Sequence, residues 1–107
     1  MNCSDVITGY LEAAGIKHIF GYPGDPSVEL LETARRNGIE FVLARREGTA
    51  GLMAAAYGQI TGRPGVCLST LGPGSSNLVN AVASAKLDRT PMIALSGQID
   101  AKREHTF

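Results

Sequence analysis

Apolar positions along the 107-residue chain switch repeatedly between helical spacing and short continuous runs. Val6, Ile7, Tyr10, Leu11 and Ala14 fall on one helical face, which predicts a first helix capped by Ser4 and stopped by Gly15. Residues 18–20 then read as a short strand running into the loop GYPGD. Asp25 followed by Pro26 predicts the start of a second helix, because a proline in the first turn loses no hydrogen bond. That helix carries Val28, Leu31 and Ala34 and stops at Asn37-Gly38. Residues 39–44 (IEFVLA) form the second strand, and residues 66–70 form the third. Between them, the small apolar stretch headed by Glu47 is charge-free up to Arg63 and reads as a helix packed tightly on a sheet, with Met53 on its packed face. GPGSSN leads into a fourth helix over residues 78–87, and residues 91–96 (PMIALS) make a fourth strand before a polar tail opened by Gly97-Gln98.

Helix and short apolar strand alternating four times predicts an α/β fold, an open parallel sheet with helices on both faces. Ligands of such sheets bind outside the carboxyl ends of the strands. Each unusual loop falls at such an end: GYPGD, Arg45-Arg46-Glu47, GPGSSN and Ser96-Gly97-Gln98. The four are therefore expected to share one rim. Residues 1–107 make a single domain, and the charged stretch that ends at Phe107 has no helix to cover the fourth strand. The expectation is a fragment of a larger multi-domain chain, or a domain whose partner supplies the missing layer.

Composition narrows the classes. Hydrophobic content of 44% and charged content of 19% are those of an ordinary globular domain. Ten basic residues balance ten acidic ones, so no nucleic acid and no anionic membrane is implied as a partner. No apolar run approaches the roughly 18 residues of a membrane span, and no signal peptide is visible, so the expected location is cytoplasmic. Cys3 and Cys67 lie far apart and form no metal spacing; Cys67, inside an apolar run, reads as a buried thiol.

Glu47 is the residue with the most chemical promise. The positive end of a helix seats an anion, whereas walls of Ala, Gly and Leu favour a neutral carboxyl. A carboxyl group held between these two influences suits proton exchange. The plainer alternative is a helix-start glutamate that only satisfies the dipole. GPGSSN, which spans 72–77, brings backbone close to a ligand and exposes N–H groups, or is a tight turn capped by Ser75 or Ser76. It lacks the P-loop lysine, and FGYPGD lacks the dinucleotide fingerprint. Arg45 and Arg46 read as a solvated pair, or as holders of Glu47 or an incoming carboxylate, while His18 and His105 read as solvated or structural.

Taken in order, FGYPG, then RREGTAGLMAAAYGQITG, then STLGPGSSN and SGQ make the chain similar to the N-terminal pyrimidine-binding domain of thiamine-diphosphate-dependent enzymes. The group it most resembles is acetolactate synthase with its 2-keto-acid decarboxylase relatives. The resemblance implies that Glu47 bonds N1′ of the cofactor's aminopyrimidine and activates it. It further implies that Tyr22, Pro23 and Gly24 line the pyrimidine pocket, with Thr70, Gly72, Pro73, Gly74 and Asn77 in the strand-three loop beside the reacting centre and Gln98 as the cofactor-site glutamine of the GQ after strand four. No metal ligand is implied in this chain: Mg²⁺ and the diphosphate fall to a diphosphate-binding domain of the same or another subunit, in a homodimer or homotetramer. The implied activity is that of a lyase or transferase that decarboxylates or ligates 2-keto acids, with the isolated chain inactive. Two other readings stand beside it, a non-catalytic partner module of the same fold and a small nucleotide- or anion-binding domain.

Overall fold

All strand pairings are parallel, in the order β2-β1-β3-β4, so the chain steps outward from β1 in both directions. The computed structural model describes residues 1–103. Its elements are α1 (Cys3–Ala13), β1 (His18–Gly21), a 3-10 turn (Asp25–Ser27), α2 (Val28–Arg36), β2 (Glu40–Leu43), α3 (Glu47–Thr61), β3 (Gly65–Ser69), α4 (Pro73–Leu87), β4 (Met92–Ser96) and a closing 3-10 turn (Ala101–Arg103). This is the expected open parallel sheet with helices on both faces.

Two cores follow from strand alternation. Ile19, Val66 and Leu68 point to one face, where Leu11 and Ile16 near α1, Ala34 of α2 and Ile39 close over them. Cys67 points to the other, against Ala54 of α3 and Leu78 of α4, with Phe20 and Met92 alongside. Strand β3 is buried along its whole length, as a central strand covered on both sides must be. Burial pushes the Cys67 thiol up from its ordinary 9.0 to about 11. The unfolded chain then releases that proton first, so alkali between these values weakens the folded state. We expect a thiol reagent at neutral pH to modify exposed Cys3 quickly and Cys67 only after denaturant is added. Two fast thiols in the native protein would contradict this burial.

Several local expectations are corrected. The first helix is capped by Asn2 and not Ser4: Asn2 Oδ1 accepts the Asp5 N–H at 3.0 Å, and Asp5 Oδ2 accepts the Asn2 N–H at 2.8 Å. Its buried face is Thr8 and Leu11, while Val6, Ile7, Tyr10 and Ala14 are exposed. Thr8 tolerates burial because its hydroxyl donates to the Ser4 carbonyl. Asp25-Pro26 opens a 3-10 turn, with Ser27 Oγ donating to the Gly24 carbonyl at 2.8 Å, and Val28 is exposed. Met53 is also exposed, since the buried stripe of α3 is Glu47, Ala50, Gly51, Ala54 and Gly58. The fourth helix starts at Pro73 and not near residue 78, so GPGSSN is largely its first turn, entered through Gly72 at φ 56°. His105 lies outside the described residues.

Candidate functional site

The order β2-β1-β3-β4 places a topological switch between β1 and β3, and parallel pairing puts the carboxyl ends of all four strands on one edge. The loop after β2 delivers Glu47 to that edge as the first residue of α3. Glu47 is only 7% exposed, and its side chain lies at the helix end whose N–H groups lack intrahelical partners. Asn77, from the first turns of α4, donates its amide N–H to Glu47 Oε2 at 3.3 Å. Among the described residues this is the hydrogen bond made to that carboxylate. Neither Arg45 nor Arg46 forms an ion pair with it among the described residues, so the alternative of guanidinium groups holding Glu47 is not met.

Thr70, immediately after β3, is the hub of the surrounding turns. Gly24 packs so close that a Cβ there would overlap Thr70 Oγ1 and lie 2.5 Å from its Cβ. A Cβ on Gly74 would stand 2.7 Å from Thr70 Cγ2 and 3.2 Å from Glu47 Oε1. Ser75 Oγ donates to the Thr70 carbonyl at 3.0 Å and shares a short hydrogen bond with Ser96 Oγ, so it ties α4 to the end of β4 instead of capping the helix. Glu47, Gly24, Thr70, Gly74 and Asn77 are thus brought together. Nothing in the serine spacing of the sequence signalled the Ser75–Ser96 link, which depends on β3 and β4 lying side by side.

The remaining expected residues share the rim without touching the carboxylate. Tyr22 is 44% exposed, and its N–H donates to the Leu68 carbonyl at 3.3 Å; Pro23 is exposed beside it. Gly72 and Pro73 are exposed at the head of α4. Gln98 borders a separate hollow of about 410 Å³ with Asp25, Pro26 and Leu71, and its Oε1 accepts the Ile99 N–H at 3.0 Å. Gly97 joins that loop to the turn after β1, since a Cβ on it would come 2.6 Å from Pro26 Cβ. A smaller hollow of about 160 Å³ lies between α3 and α4, bordered by Arg46, Thr49, Leu52, Asn77 and Asn80. Sequence reasoning missed Asn80, which needed the crossing of α3 and α4 to come beside Arg46.

His18 plays no part here. It begins β1, at the opposite edge, with its Nε2 3.5 Å from Glu40 Oε2 and its ring against Phe20 and Tyr57. A larger hollow of about 490 Å³ between α2 and β2 also lies away from Glu47. Among the described residues, no three His, Cys, Asp or Glu side chains gather as a metal site, and no helix is long and apolar enough to cross a membrane.

A buried carboxyl group with one oxygen tied by an uncharged amide can exchange a proton with a polar group presented to its other oxygen. The profile of the family described as "Thiamine pyrophosphate enzyme, N-terminal TPP binding domain" matches residues 1–106. The chain is 38% identical over 101 residues to the acetolactate synthase isozyme 2 large subunit of Escherichia coli, covering 94% of this chain and 18% of that protein. It is 42% identical over 97 residues to acetolactate synthase 2, chloroplastic, of Zea mays, covering 90% of this chain and 15% of that protein. Against acetolactate synthase, chloroplastic, of Arabidopsis thaliana it is 38% identical over 97 residues, 90% of this chain and 14% of that protein. The chain therefore spans less than a fifth of the length of these relatives.

Proposed function

The chain belongs to the family of N-terminal thiamine pyrophosphate-binding domains, and from that premise we propose that Glu47 is the group that activates thiamine diphosphate in an enzyme acting on 2-keto acids. The observation that carries this reading is the placement of Glu47. It is a buried carboxyl group at the β1/β3 switch point, with Oε2 bonded by Asn77 and Oε1 against the backbone at Gly74. A buried carboxyl group tied by an uncharged amide is the donor set that a ring nitrogen of an aminopyrimidine calls for. The residues present therefore fit the aminopyrimidine half of the cofactor. Thr70, Gly72 and Pro73 share the rim with Tyr22, Pro23 and Gln98, and Asn77 bonds the Glu47 carboxyl group.

The roles of these residues divide simply. The bound cofactor supplies the nucleophilic carbon and the electron sink for cleavage or joining of 2-keto acids. Glu47 takes and returns a proton at ring atom N1′. The close packing of Gly24 and Gly74 on Thr70 fixes the turns around the carboxyl group. The diphosphate and Mg²⁺ are held by a second domain of the same or another subunit, in a homodimer or homotetramer, where the substrate and the choice between decarboxylation and ligation are also set. On this reading the isolated chain binds the cofactor weakly and does not turn over.

The test uses the protein assembled with its diphosphate-binding domain. Thiamine diphosphate with Mg²⁺ is expected to bind by calorimetry, and 2-keto-acid consumption is expected to follow. Adenine nucleotides should not displace the cofactor. Binding without turnover on any 2-keto acid would leave the non-catalytic partner module as the function, and displacement by a nucleotide would leave the anion-binding domain.

A further inference from the structure

We infer that Asn77 is the positioning residue of the Glu47 carboxyl group, acting on the reaction through Glu47 and not by touching the cofactor or substrate. The inference rests on the role proposed above for Glu47. A glutamate side chain has three rotatable bonds, so burial alone does not decide where its two oxygens point. Here one oxygen is tied: Oε2 accepts from Asn77 at 3.3 Å, while Oε1 is the atom beside Gly74. Tying one oxygen aims the other.

The anchor is itself fixed by the close crossing of α3 and α4. A Cβ on Gly51 would overlap Ala81 Cβ and lie 3.0 Å from Leu78 Cδ1, and one on Gly48 would lie 3.3 Å from the Asn77 carbonyl oxygen. Side chains between the helices are thus nearly absent on this line, and the backbone of Asn77 sits directly beside the first turn of α3. The two helices cannot slide without a clash, so the separation of the Asn77 and Glu47 side chains is set by backbone packing.

The chemistry of the donor also matters. A guanidinium or ammonium group in this place would hold the carboxylate charged and oppose its taking a proton. A primary amide carries no charge, and here it donates one of its N–H bonds to the carboxylate. It steadies the group without blocking its exchange. Arg45 and Arg46 are adjacent in sequence, yet neither pairs with Glu47 among the described residues.

The experiment is a double-mutant cycle in the assembled holoenzyme, with Asn77→Ala, Glu47→Gln and the double variant. Asn77→Asp is run beside them as a same-shaped residue that sets a second carboxyl group against Glu47 in place of the neutral donor. Asn77→Ala and Asn77→Asp should each lower kcat by about 10- to 100-fold, the loss of one hydrogen bond to a charged group, with KM for the 2-keto acid unchanged. Calorimetric affinity for thiamine diphosphate should weaken on Asn77→Ala in the wild-type background. In the Glu47→Gln background, Asn77→Ala should leave kcat unchanged, because the proton-exchange group it positions is already gone. Multiplying losses, or wild-type kcat in Asn77→Asp, would overturn the inference. A Glu47→Gln variant with wild-type kcat would instead overturn the role of Glu47 itself.

Discussion

Replacing Glu47 with glutamine in the assembled enzyme is expected to lower kcat by about 10²- to 10⁴-fold, the range contributed by a positioned proton-exchange group. The substitution is nearly isosteric, and the glutamine carbonyl still accepts from Asn77, so the head of α3 keeps its packing. The thermal midpoint should therefore stay within a few degrees of the wild-type value. A large fall in kcat with an intact fold separates chemistry from structure. Loss of the fold together with activity would mean that Glu47 serves chiefly to start α3, the plainer alternative for a helix-head glutamate. Steady-state kinetics and a melting curve on the same preparation distinguish the two.

Gly65→Ala should be the most damaging single-methyl change in the sheet. A Cβ at this position would overlap the Ala54 carbonyl oxygen and lie 2.6 Å from its carbonyl carbon and 2.9 Å from its Cα. These are backbone atoms of α3, so no side-chain rotation relieves the clash, and the helix must lift off β3. Overpacking of this kind costs about 3 kcal/mol or more. Because the same helix carries Glu47, a shift of roughly 1 Å would also lower activity by about 10²-fold in the molecules that still fold. Gly9→Ala is the matched control. Nothing lies within 4 Å of a Cβ there, and alanine in a helix is favoured over glycine by about 0.5–1 kcal/mol. Denaturant unfolding of both variants tests the contrast; equal stability of the two would contradict the close α3–β3 packing.

What the chain revealed before its structure follows from how local each signal is. The strands are readable because Val66, Cys67 and Leu68 form an unbroken apolar run bounded by glycine and serine, as a strand covered on both faces requires. The first helix was misjudged in its facing. Val6, Ile7 and Tyr10 look like a core stripe, but the buried face is Thr8 and Leu11, and Thr8 can lie there because its hydroxyl is satisfied within the helix. The start of α4 was placed too late because two glycines around Pro73 read as a loop, although proline is well suited to a first helical turn. At the site, Glu47 stood out from its own neighbours in sequence. Its hydrogen bond from Asn77 did not, because that bond spans 30 residues and depends on Gly51 and Ala81 bringing two helices together. Local propensity cannot report such a crossing.

The account turns on a proton passing between Glu47 and the cofactor ring, and one measurement addresses that directly. Thiamine diphosphate bound to the assembled enzyme is placed in D₂O, and loss of its C2 proton is timed by quenched-flow NMR without any 2-keto acid present. The wild-type protein should exchange that proton faster than free cofactor, and Glu47→Gln should slow the bound exchange by at least about 10²-fold. Equal exchange rates in the wild-type and Glu47→Gln proteins would contradict the account, because the buried carboxyl group would then have no part in activating the cofactor.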